Sequence, residues 1–86
     1  MKMFAVYDHK AASFCLPFFS QNADIAIRDF AYAVNDRNQN VSKYAADFDL
    51  YQLGDLDQTL GVVTPHDVKI LLGNGAQFKE PRHDEI

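Results

Sequence analysis

Only one cysteine, Cys15, occurs in the 86 residues, so no intrachain disulfide can form, and a lone thiol suits a reducing compartment. Glycine and proline are sparse, and no linker or internal repeat divides the chain. Long apolar runs are missing too: the stretch before Asp8 in MKMFAVYDHK is too short for a signal peptide or a membrane span. A protein neither exported by that route nor embedded in a membrane is therefore expected. Basic residues are also in short supply. Residues 1–43 hold five bases and four acids, residues 44–86 three bases and eight acids, and the net charge is −4. A sequence-independent phosphate binder draws its affinity from a basic excess, which this composition lacks, at least as a monomer.

What is abundant is apolar and aromatic material, with 48% hydrophobic residues, seven Phe and four Tyr. A chain of this length closes a single core, burying roughly 60–65% of its unfolded surface, and these residues supply that core without disulfide or metal. One domain over residues 1–79 is expected, followed by a charged, frayed tail over 80–86.

Residues 2–8 place Met3, Ala5 and Tyr7 on one face and Phe4 and Val6 on the other, the pattern of a strand covered on both sides or used in assembly. Residues 9–12 read as a turn and 13–16 as a second strand, which Pro17 limits to an edge or a bulge. Ala23, Ile27, Phe30, Ala31 and Val34 then form one stripe of a 3.6-residue helix. Asn22 is its expected N-cap, Asp24 sits where the helix dipole favours an anion, and Asp24 and Arg28 form an i,i+4 pair. Residues 35–40 are a loop. Residues 42–47 suggest one helical turn capped by Ser42, 48–53 a strand, 54–58 an acidic turn and 59–63 the returning strand.

Residues 65–72 admit two readings. Thr64-Pro65-His66-Asp67 has the form of a capping box with proline at the first helical position, while Val68, Ile70 and Leu72 alternate as in a strand. Gly73-Asn74-Gly75 ends either one. The expected fold class is α+β: a small, mostly antiparallel sheet of about four strands with one amphipathic helix, in the order β-β-α-β-β plus a short C-terminal element. A single helix leaves the second sheet face uncovered, and apolar side chains there would favour self-association.

Chemistry is sparse. Cys15 and His9 could form a nucleophilic dyad, against which stands a small buried cysteine in a hairpin. His66 and His83 are too isolated for a metal site, and no CxxC or HExxH spacing occurs. Asp8, Asp47, Asp49, Asp55 and Asp57 show no calcium-loop pattern and read as a solvated acidic face. Gly73-Asn74-Gly75 lacks the Lys-Ser/Thr of a nucleotide loop. No enzyme, cofactor or metal is expected. For single-stranded nucleic acid, cations interleaved with aromatic stacking platforms are the signal. Lys2, Tyr7, His9, Lys10, Phe14, Phe18 and Phe19 offer that mixture, with Arg28 and Tyr32 one turn apart on the polar side of the helix, although the phenylalanines are expected in the core.

K-M-F-A-V-Y-D-H-K-A at 2–11, P-F-F-S-Q at 17–21, A-I-R-D-F at 26–30, V-N-D at 34–36, S-K-Y-A-A-D-F-D-L-Y-Q-L-G at 42–54 and N-G-A-Q-F-K at 74–79 together resemble the small non-structural protein of gokushoviruses, single-stranded DNA phages of the microvirus group. The resemblance spans nearly the whole chain in order and spacing. It implies a non-capsid, DNA-binding accessory protein in the host cytoplasm, acting in viral DNA replication or its switch to single-stranded synthesis and packaging. No catalytic residue comes with it. Lys10, Arg28 and Lys43 lie in the matching blocks and are the candidates for phosphate, with Tyr7 and Tyr32 to stack or support. The expected partners are single-stranded DNA and further copies of the chain in a homo-oligomer. The rival reading is a module without nucleic-acid affinity whose acidic strip, from Asp47 to Asp57, binds a viral replication or procapsid protein or a host factor.

Overall fold

A computed structural model describes residues 1–81. The expected frayed tail from residue 82 onward, His83 included, lies outside the described residues. The α+β class is observed, with five strands in one antiparallel sheet.

Strand β1 (Lys2–Asp8) is the hub. On one edge it pairs with two short strands, β2 (Ser13–Phe14) against Tyr7 and Asp8, and β3 (Phe18–Ser20) against Lys2 to Phe4. The strand expected over 13–16 is thus shortened to Ser13–Phe14. Pro17 has no N–H for a ladder, and Leu16 and Pro17 leave the sheet while the Cys15 amide still donates to Val6 O at 2.8 Å. Phe18 to Ser20 then form β3, directly before the helix.

Helix α1 (Ala23–Asn35) follows the apolar stripe, and Asn22 caps it, its side chain accepting from the Ile25 amide. Arg28 pairs with Asp29, Nε to Oδ1 at 3.8 Å, in place of the expected Asp24. A short helix α2 (Asn40–Lys43) and a 3-10 turn (Ala45–Asp47) return the chain to the sheet, with Ser42 inside α2 and buried instead of capping it.

Strand β4 (Phe48–Asp57) runs through most of the expected acidic turn, which shrinks to residues 58–61. Asp57 closes that turn by accepting from the Thr59 and Leu60 amides, and Gly61 supplies φ 67°. Strand β5 (Val62–Asn74) is extended throughout, so the helical alternative for 65–72 falls. Pairing with β4 decides it: Thr64 and Pro65 lie opposite Asp55 and Gly54. A capping box does form, ten residues further on, where Asn74 accepts from the Ala76 amide and Gln77 reaches back to the Asn74 amide, starting α3 (Gly75–Phe78).

The sheet order is β2-β1-β4-β5, and α1 covers one face. Phe4, Ala26, Phe30, Val34, Phe48 and Leu50 form the core, flanked by Val6, Phe18, Leu72 and Phe78. Burying each large apolar side chain contributes about 1.5–3 kcal/mol. The molecule is 52 Å long, whereas a 13-residue helix spans only about 20 Å. Part of the β4–β5 hairpin therefore lies beyond the helical layer, and Leu60, Val62 and Val63 are exposed there.

Candidate functional site

Alternation along β1 sends Phe4 and Val6 under the helix and Met3, Ala5 and Tyr7 to the opposite, open face. The register adds to that face. Tyr7 lies opposite Phe14 on β2 and Asp49 on β4, and Ala5 lies opposite Tyr51. The result is a continuous aromatic array across three strands. His9 packs edge-on against Tyr7 with centroids 5.0 Å apart, Tyr7 against Phe14 at 4.9 Å, and Phe14 against Tyr51 at 5.6 Å.

The array floors a groove of about 440 Å³ whose far wall is Asp67, Val68 and Lys69. That wall exists because the β4–β5 register jumps from Gln52↔Ile70 to Gly54↔Pro65, leaving residues 66–69 as an arch longer than the stretch of β4 it spans. His66 at its foot accepts from Gln52 Nε2 at 3.0 Å.

One end of the groove is fixed by Asp49. His9 donates to its Oδ2 at 2.6 Å and Asn74 to its Oδ1 at 2.8 Å. Burial pushes this carboxyl up, but the two hydrogen bonds and the positive charge of His9 outweigh it and hold the group below its ordinary value. Asp55 is also lowered, first by its hydrogen bond from Lys2, whose Nζ lies 2.9 Å away.

The five residues singled out from the sequence do not share one surface. Tyr7 is in the array. Lys10 stands in the turn after β1, beside Asp8, Tyr44 and Asp47. Arg28 and Tyr32 project from the outer side of α1, with Tyr32 77% exposed, and Lys43 is exposed on α2. Sheet and helix thus separate Tyr7 from Arg28 and Tyr32. Phe14 and Tyr51 were missed as a pair, because only the strand register brings them together. The expectation that the phenylalanines are core fails at Phe14 and Phe19, which are exposed.

Cys15 and His9 are not brought together. Cys15 is exposed at an apolar pocket on the helix side, with Val6, Phe18 and Phe30, whereas His9 is engaged on the open face. Among the described residues no group of three His, Cys, Asp or Glu side chains converges, and no helix is long and apolar enough to cross a membrane.

Comparison with known proteins yields a family match, while no curated protein and no solved structure matches. The family model described as Phage ORF5 protein matches residues 1–78, the span that holds every strand and helix among the described residues, and the chain belongs to that family of phage proteins.

Proposed function

We propose that this phage accessory protein is a non-enzymatic binder of single-stranded DNA, acting in the host cytoplasm during replication of a gokushovirus-type genome or its passage into single-stranded synthesis and packaging. One observation supports the reading above all: the Tyr7, Phe14 and Tyr51 rings pack edge-to-face in one array on the sheet face that α1 does not cover. Unstacked bases need such a surface, and each base–aromatic stack is worth about 1–3 kcal/mol. Lys69 on the arch and Lys10 in the neighbouring turn supply cations for the backbone.

The acidic second half opposes this reading less than composition suggests. Asp49 is held by His9 and Asn74, Asp55 by Lys2, and Asp57 by the amides of its own turn. Three of the four acids of the strip thus have intramolecular roles, which weakens the rival reading of that strip as a docking site for a basic protein. Self-association is part of the proposal, since a second copy would cover Leu60, Val62 and Val63.

Titration of a labelled oligonucleotide, read by fluorescence anisotropy alongside light scattering, tests both parts. Tyr51→Ala should weaken binding by about tenfold or more, while Arg28→Ala combined with Tyr32→Ala should leave it unchanged. Loss confined to the helix double variant would move the interface to α1, and no binding by the parent protein would remove the DNA reading.

A further inference from the structure

The groove holds a carboxylate where a pure phosphate site would exclude one. Asp67 and Lys69 both line it from the arch, opposite the Tyr7, Phe14 and Tyr51 rings. They make no ion pair with one another: the ion pairs among the described residues that bear on this face are Lys2–Asp55 and His9–Asp49. Asp49 has a donor on each of its oxygens, so among the described residues lining the groove Asp67 is the carboxylate, and Lys69 the ammonium, without an ion-pair partner.

A carboxylate beside a stacked base repels phosphate and carbonyl oxygens and accepts from amino groups. Cytosine presents an N4 amino group to it and adenine an N6 amino group, whereas thymine presents a carbonyl oxygen at the corresponding position. On the single-stranded DNA reading of this face, on which the inference rests, we infer that Asp67 makes the groove selective for cytosine and adenine, which present an amino group at that edge, over thymine, with Lys69 meeting the adjoining phosphate. The charge order along the arch matches a nucleotide laid across it, base edge at Asp67 and backbone at Lys69. Because Asp67 is exposed and has no ion pair among the described residues, its removal should leave the fold intact.

The test compares oligodeoxycytidine with oligothymidine and oligodeoxyuridine of equal length, by anisotropy with the full chain. Cytosine and uracil are alike in size and stacking area, so the comparison isolates the base edge. The cytidine oligomer should bind about tenfold more tightly than either of the others. Asp67→Ala should bring the three affinities together, and Lys69→Ala should weaken all three equally without changing their ratio. Equal binding of all three by the parent protein overturns the selectivity while leaving the DNA reading standing. A preference that survives Asp67→Ala overturns the assignment to Asp67. Binding to none of them overturns the DNA reading itself and the selectivity with it.

Discussion

The His9 imidazole donates to the Asp49 carboxylate over 2.6 Å, tying the turn after β1 to a strand forty residues further along the chain. With Asn74 on the other oxygen, this contact joins β1, β4 and the end of β5 at one point.

A pH dependence follows from that contact. The Asp49 carboxyl lies below its ordinary value of 3.8 in the folded chain. A group depressed on folding contributes stability that is fully present above its unfolded pKa and is lost as pH falls through the folded one. Urea midpoints of the parent protein should therefore decline as pH falls below about 5. Asp49→Asn should be less stable at neutral pH and decline less, the remaining slope coming in part from Asp55, which is lowered in the same direction by Lys2.

Lys79 holds the C-terminal segment to the helical layer. Its Nζ donates to Val34 O at 3.0 Å, Ser42 O at 2.8 Å and Ser42 Oγ at 2.7 Å, placing a cation at the C-terminal end of α1. Asn35 reinforces the junction, donating to Phe78 O and accepting from the Glu80 amide. Lys79→Met keeps most of the stem but removes the charge-assisted bonds, and should cost about 1–2 kcal/mol in chemical denaturation, with protease cleavage after Phe78 enhanced.

Gly54 is required by the closeness of β4 to β5. A Cβ there would sit 2.4 Å from Thr64 O and 2.9 Å from Pro65 Cα, both backbone atoms. Gly54→Ala should cost about 1–3 kcal/mol, the range of an overpacked core, and should loosen hydrogen-exchange protection in the 54–65 hairpin before it affects α1. Equal loss of protection in both would mean that the hairpin and the helical layer open together.

Legibility in the sequence followed locality. The helix from Ala23 was readable because its stripe and its cap lie within one segment, and β1 because its alternation is short and clean. Residues 65–72 defied a local reading because Thr64-Pro65 mimics a helix start, while the partner that makes the segment a strand, Tyr51 to Gly54, lies across a turn. The real capping box at Asn74 was hidden because asparagine, not serine or threonine, occupies the cap. The aromatic array was least accessible of all. Tyr7, Phe14 and Tyr51 come from three strands, and only the register of β1 against β2 and β4 places them on one face. Arg28 and Tyr32 looked like a site for the opposite reason: their one-turn spacing is local, but the helix turns them away from the sheet.

Salt dependence offers a check on where the affinity resides. With Lys69 in the groove and Lys10 in the neighbouring turn as the cations, about two phosphates are neutralised, so log K should fall with log salt at a slope of about −1.4 for a single strand. Raising salt from about 50 to about 200 mM should then weaken binding less than tenfold. Lys69→Ala should flatten the slope by about 0.7, and Arg28→Ala should not change it. Tyr51→Ala should weaken binding at every salt concentration with the slope unaltered, because stacking releases no counterions. A steep slope that Arg28→Ala flattens would instead place the phosphates along α1, and the open face would then be free for contacts between copies of the chain.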